Sequence, residues 1–234
     1  MPAGNPLRIP SSAQRTATVI FLHGLGQTNI AWHGTVQWMA VQLPNIEWVL
    51  PQAPTRPVSL NSGQQRSSWF DIQSLPPDCN EWEEAAMASS ISHVEGWIQA
   101  EVHRGADPRR IILMGFSQGA ALGLLVALTT LHELGGVVSL AGWIPHKGRE
   151  QIVHTRPYLP IFCGHGRNDI TIPTYYSEEA MAFLRDVLRL PTAFLTFKRY
   201  EGLGHTINRA EMHDVVTWLQ SVLHLRPVAR ALIM

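Results

Sequence analysis

Two hydrophobic rhythms alternate along the chain. Thr18-Val19-Ile20-Phe21-Leu22 is a continuous apolar, β-branched run, the pattern of a strand buried on both faces. It stops at His23-Gly24-Leu25-Gly26. Ile46 to Leu50 reads as a second strand, closed by Pro51, and Arg110–Met114, Val137–Leu140, Leu159–Cys163 and Ala193–Phe197 repeat the pattern. Between them lie helical spacings. From Glu81 to Arg104 the apolar residues Met87, Ile91, Val94, Ile98 and Val102 recur every three or four positions, with Glu81, Glu83 and Glu84 in the first turn, where the helix dipole favours acids. Asp107-Pro108 breaks that helix. Further helices are predicted from about Ser117 to Thr130, from Pro173 to Leu188 with proline at a first helical position, and from Asn208 to Leu223. Strands alternating with helices predict an α/β fold: a mostly parallel central sheet with helices on both faces, in a single domain. Residues from about Gln52 to Asn80 are rich in Pro and Ser and lack periodicity, so they read as a long loop of the functional or disordered kind. Residues 1–15 and 225–234 are expected to be frayed or extended termini.

Composition narrows the classes. Among the 234 residues, 18 Lys+Arg balance 18 Asp+Glu, with no basic block. Nucleic-acid binding rests on phosphate neutralisation, so that partner is not expected. A hydrophobic fraction of 45% excludes intrinsic disorder. The longest apolar run, Gly119 to Leu128, is far short of the ~18 residues of a membrane span. Cys79 and Cys163 form neither a disulfide framework nor a metal-ligand spacing. Met1-Pro2-Ala3-Gly4 lacks the charged and apolar regions of a signal peptide. The chain is therefore expected in the cytoplasm, without cofactor or metal. With only 15% of residues charged, there is room for exposed apolar patches of the kind that mark binding grooves or membrane-surface contacts.

The candidate chemistry begins at Gly115-Phe116-Ser117-Gln118-Gly119. A G-x-S-x-G match alone is weak, but this one lies between a predicted strand and a predicted helix, the setting of a nucleophile elbow. There the serine oxygen projects at the carboxyl end of the sheet and the helix N-terminus offers N–H groups to a developing oxyanion. A nucleophilic serine needs a base and the base needs an orienting acid, in the chain order Ser, acid, His. Asp169 follows the strand Leu159–Cys163, and His205 follows the strand Ala193–Phe197. Both are loop residues at the edge where open α/β sheets place their sites. Asp186, Asp214, His213 and His224 are poorer rivals, because they lie in or at the end of helices; a helix N-cap is the other reading of Asp169. The oxyanion donors are expected to be the backbone N–H groups of Gln118 and of Leu25, in the glycine-rich loop after the first strand. His23 and His165 read as hydrogen-bonded structural histidines, and Cys163 as a buried strand residue.

Leu22-His23-Gly24-Leu25-Gly26, Ala53-Pro54-Thr55-Arg56-Pro57-Val58, Ser68-Trp69-Phe70-Asp71, Gly115-Phe116-Ser117-Gln118-Gly119, Ala141-Gly142-Trp143-Ile144-Pro145, Cys163-Gly164-His165-Gly166 and Tyr200-Glu201-Gly202 occur in order from about residue 17 to 223. Together they resemble the acyl-protein thioesterase (lysophospholipase-like) carboxylesterase family of α/β hydrolases. That resemblance places the family's triad on Ser117, Asp169 and His205 and its oxyanion donors on the Leu25 and Gln118 amides. It implies cleavage of the thioester between a long fatty acyl chain and a protein cysteine, alongside lysophospholipids and small esters. S-acylated proteins and lysophospholipids are thus the expected partners, met in transient contact with a membrane surface. The chain departs from the family at Gln27-Thr28-Asn29, where Asp and then Thr-Gly are usual, at Arg167-Asn168 before Asp169, and at Thr206-Ile207.

For the acyl-binding wall the candidates are Trp69, Leu75, Trp143 and Ile172, each of which also fits core packing or scattered surface exposure. Trp69 and Leu75 lie in the long loop, and Trp143 and Ile172 lie just past strands whose ends face Ser117. A general short-chain carboxylesterase is the nearest alternative in function, and a catalytically silent hydrolase-fold binding module the most distant.

Overall fold

The computed structural model describes residues 6–78, 80–152 and 157–229. Along the chain run β1 (Leu7–Ile9), β2 (Ala17–Leu22), α1 (His33–Gln42), β3 (Ile46–Leu50), β4 (Thr55–Val58), β5 (Gln64–Ser67), α2 (Glu84–His103) and β6 (Ile111–Phe116). There follow α3 (Gln118–Thr129), β7 (Gly136–Leu140), α4 (His146–Arg149), β8 (Ile161–Gly166), α5 (Tyr175–Ala182), β9 (Leu195–Tyr200) and α6 (Arg209–Ala229). Seven strands make one sheet in the order β1-β3-β2-β6-β7-β8-β9. Neighbours pair in parallel except β1, which lies antiparallel on β3 with Leu7 opposite Leu50.

The unbroken apolar strands are explained by the two cores. Val19 and Phe21 of β2, with Ile112, Met114 and Phe116 of β6, join Val36 and Met39 of α1 and Val215 and Leu219 of α6 on one face. Ile20 and Leu22, with Ile111 and Leu113, join Val94 and Ile98 of α2, Leu122 and Leu125 of α3 and Ala180 of α5 on the other. Alternate residues point to opposite faces, and both faces are covered, so the middle strands are almost wholly apolar, with Thr18 of β2 and Ser139 of β7 among the few buried polar positions. This is the α/β-hydrolase arrangement the sequence predicts. Helix α3 is buried nearly all round, which accounts for its lack of an amphipathic stripe.

Several boundaries need correction. The stretch 52–80 is not one irregular loop: β4 and β5 pair as a separate two-stranded ribbon, Thr55 opposite Ser67. Its residues are polar and include Pro57, so alternation gave no signal. The turn at its tip uses left-handed backbone at Ser62 (φ 55°) and Gly63 (φ 75°). Strand β1 falls inside the expected N-terminal fray, at the sheet edge. The helix predicted to run to Leu188 ends at Ala182 and continues as a wider π turn over Phe183–Val187. Helix α6 runs through Ala229, beyond the predicted end at Leu223 and into the expected C-terminal fray. Residues 230–234 and Cys79 lie outside the described residues. Helix α1 was not foreseen, because its ten residues bury only Val36, Met39 and Ala40.

Candidate active site

Strand β6 ends at Phe116 and α3 begins at Gln118, so Ser117 carries the whole reversal alone. Its backbone is left-handed (φ 54°, ψ −120°), a conformation non-glycine residues rarely hold. Two contacts show why glycines flank it. A Cβ on Gly115 would lie 2.4 Å from the Gly119 backbone, and one on Gly119 would lie 2.2 Å from the Leu22 carbonyl oxygen. The Ser117 N–H donates to the Leu140 carbonyl (2.8 Å), tying the turn to neighbouring β7.

The two loops singled out downstream arrive at this turn. His205 Nε2 lies 2.9 Å from Ser117 Oγ, and His205 Nδ1 lies 2.7 Å from Asp169 Oδ2. The Asp169 side chain is fully buried. Its Oδ1 accepts the N–H groups of Thr171 (2.9 Å) and Ile172 (2.8 Å). Burial alone would raise its pKa. Hydrogen bonds from His165, His205 and the Ile172 N–H outweigh that and hold the carboxyl well below the usual range, hence ionised. His165 was read as structural, and its setting fits that. It is fully buried, its Nε2 donates to the Ile172 carbonyl (2.7 Å) and lies 3.4 Å from Asp169 Oδ2, and its Nδ1 meets Ser177 Oγ (2.5 Å). Phe116 packs on the His205 ring at 4.9 Å between centroids.

The loop after β2 lies against Ser117: a Cβ on Gly24 would be 3.4 Å from Ser117 Cβ. The groups flanking Leu25 are fixed. Gly24 N–H donates to Gln27 Oε1 (2.8 Å), which also accepts the Trp32 indole N–H (2.9 Å). Gly26 N–H donates to the Ser67 carbonyl (2.8 Å). His23 Nδ1 donates to the Gly24 carbonyl (2.8 Å) while its Nε2 accepts from Ala53 N–H (3.1 Å), and burial lowers its pKa, so the ring is neutral. Among the described residues the Leu25 N–H has no hydrogen-bond acceptor. The Gln118 N–H opens α3 and so has no carbonyl one turn before it. Both donors border the serine.

The four lining candidates do not share a surface. Trp69, Trp143 and Ile172 are buried in one core cluster, whereas Leu75 is exposed. Trp69 is fixed by its indole N–H, which donates to the His23 carbonyl (2.7 Å). Two neighbours of the site that the sequence reading gave no role are the Gln118 side chain and Ser68, which are hydrogen-bonded to each other (3.0 Å). Cys163 is buried, and burial pushes its thiol up to about 12. Among the described residues no group of three or more His, Cys, Asp or Glu is arranged to hold a metal ion. No described helix is long and apolar enough to cross a membrane.

Comparison with known proteins bears on this geometry. The Phospholipase/Carboxylesterase family pattern matches residues 5–223. The chain belongs to that family. Acyl-protein thioesterase 1 of Cryptococcus neoformans var. neoformans serotype D is 38% identical over 230 residues, covering 93% of this chain and 97% of that protein. The crystal structure of Arabidopsis thaliana SOBER1 superposes with a TM-score of 0.80 at 30% identity, covering 88% of this chain and 99% of that one. Zea mays acyl-protein thioesterase 2 gives a TM-score of 0.76 at 27% identity, covering 94% and 99%. The family is one of α/β hydrolases, and the chain is a hydrolase with that fold.

Proposed function

We propose that the chain is a serine hydrolase that removes long fatty acyl groups from protein cysteines, with lysophospholipids and small esters as side substrates. The observation that supports this best is the continuous relay Ser117–His205–Asp169, at 2.9 and 2.7 Å, on a strained turn at the carboxyl end of β6. In this reading His205 Nε2 takes the Ser117 proton as Oγ attacks the acyl carbonyl carbon. Asp169 holds Nδ1 protonated and stabilises the imidazolium. The carbonyl oxygen gathers negative charge between the N–H groups of Leu25 and Gln118, each worth about 3 kcal/mol of transition-state stabilisation. Collapse expels the thiolate, which His205 protonates, and water then attacks the Ser117 ester by the same route. A thiolate leaves more readily than an alkoxide, its conjugate acid having a pKa of about 8.5, so a thioester asks less of the imidazolium.

The thioester preference is supported by the relatives named acyl-protein thioesterase. A general short-chain carboxylesterase is the less favoured reading. Transient contact with a membrane surface is supported by exposed apolar side chains around the carboxyl edge: Ile30 after β2, Ile170 and Tyr175 after β8, and Leu75. The Tyr176 hydroxyl donates to the Pro77 carbonyl, which brings the Leu75 segment beside α5. The cytoplasm suits a chain whose two cysteines make no disulfide framework. The test is a series of acyl chain lengths offered as both thioesters and oxygen esters to the purified protein. A rate that climbs to palmitoyl, higher for the thioester, supports the proposal. A peak at acetyl or butyryl overturns it in favour of the carboxylesterase.

A further inference from the structure

Gln118 is fully buried, yet its side chain carries a primary amide. Every polar direction of that amide is used, and all of it points at one segment. Oε1 accepts the Trp69 N–H (3.0 Å); Nε2 donates to Ser68 Oγ (3.0 Å) and to the Phe70 carbonyl (2.7 Å). The segment so held reaches across to the loop after β2. The Trp69 indole N–H donates to the His23 carbonyl (2.7 Å), and the Ser67 carbonyl accepts the Gly26 N–H (2.8 Å). Leu25 sits between those two anchored residues. Residues 67–70 therefore form a strut between the elbow and the glycine loop, added to the β2–β6 pairing (Leu22 opposite Gly115) that sets the two side by side.

From this geometry we infer that the Gln118 side chain is a positioning residue: through Trp69 it sets the Leu25 N–H in register with its own main-chain N–H. The inference rests on the oxyanion assignment made above. The physical reason lies in what the donors require. They act only if aimed at the place the oxygen occupies in the tetrahedral intermediate, within hydrogen-bond length. A loop free to drift loses that aim without losing the substrate. A buried amide network with every group satisfied is rigid, and removing one member frees the rest. Trp69 is then a strut of the catalytic loop rather than a wall for the acyl chain.

The variant Gln118→Met keeps the length of the side chain and the main-chain N–H, and deletes only the amide. Trp69→Phe deletes the indole N–H that meets His23. Each is assayed against a thioester substrate and against a trifluoromethyl ketone, whose hemiketal oxyanion needs the same two donors. Fluorophosphonate titration counts competent sites. The expected result for each is a fall in kcat of about 10- to 100-fold per competent site, an equal fall in ketone affinity, and KM within about twofold of wild type. The double variant is expected to lose no more than the worse single one, because both act through one strut. A folded Gln118→Met with wild-type kcat and ketone affinity overturns the inference, as does a purely additive double variant. Should Gln118→Met fail to fold, Trp69→Phe decides on the same readouts. Ser117→Ala is run in parallel. Activity surviving in that variant removes the serine-hydrolase reading, whereas serine-dependent activity that ignores Gln118 removes only the strut.

Discussion

Carboxylates are buried at both ends of the sheet, and their partners differ in kind. At the carboxyl edge Asp169 faces two histidines and two main-chain N–H groups. Near the amino ends of β2 and β3, Glu47 and Glu101 face three arginines. Arg8 reaches Glu47 (2.8 Å) and Glu101 (2.7 Å), Arg15 reaches the same pair at 3.1 and 3.3 Å, and Arg104 at 2.9 and 3.1 Å. Burial would raise the Glu47 pKa, but the hydrogen bonds from Arg104 and Arg8 outweigh it and lower the net value. Guanidinium never gives up its proton, so the amino-edge cluster is fixed in charge and can only brace the fold. Imidazole can carry or release one, so the same kind of buried acid becomes part of a device that moves a proton. A fourth acid, Glu211 on α6, completes the series. It is buried, its Oε2 has no hydrogen-bond partner among the described residues, and desolvation, aided by Asp214, pushes it up to about 8 despite a hydrogen bond from the Asn208 backbone.

The comparison is sharpened most by Ser117→Ala. It should cut thioester hydrolysis at least about 10³-fold and abolish fluorophosphonate labelling while leaving the melting temperature near wild type. Labelling that persists would place the nucleophile elsewhere. Next comes Glu101→Ala, which strips the arginines of a shared acceptor. We expect a loss of about 2–3 kcal/mol in denaturant unfolding, below the usual figure for a broken buried pair because the arginines are partly hydrated. The kcat of the folded fraction should stay unchanged; a fall would mean the two edges communicate. The smallest effect is expected from Glu211→Gln. A carboxyl whose folded pKa lies above its unfolded value supports the fold fully below about 4.5 and loses that support as pH rises to about 8. The variant lacks this titration. It should therefore gain steadily on wild type as pH rises from 5 to about 8, read from paired urea curves. Parallel curves would show that Glu211 is ionised throughout.

How much of this was legible in the sequence follows from the same physics. The middle strands and the relay could be read because burial on both faces leaves those strands almost wholly apolar, and because Ser117, Asp169 and His205 each fall just past a strand end. The ribbon β4–β5 could not, since Thr-Arg-Pro-Val and Gln-Gln-Arg-Ser have no apolar alternation. Trp69 and Ile172 were placed correctly in loops, but a loop residue can turn inward, and only coordinates show which way. The sequence reading considered Gln118 for its main chain alone; its side chain's contacts are with Ser68 and Trp69, about fifty residues away, a separation no local pattern encodes.

The pairing of β2 with β6 carries a consequence for how the molecule comes into being. Thr18 lies opposite Ile111, and Gly119 packs on the Leu22 carbonyl. The glycine loop and the elbow thus meet only after an excursion of roughly ninety residues has closed on itself, a contact of high order and slow to form. A nascent chain that ends before β6 has the glycine loop without the elbow it packs on, and one that ends before His205 has Ser117 without the imidazole that lies 2.9 Å from its Oγ. Catalytic competence is then a property of the finished polypeptide, acquired late and all at once.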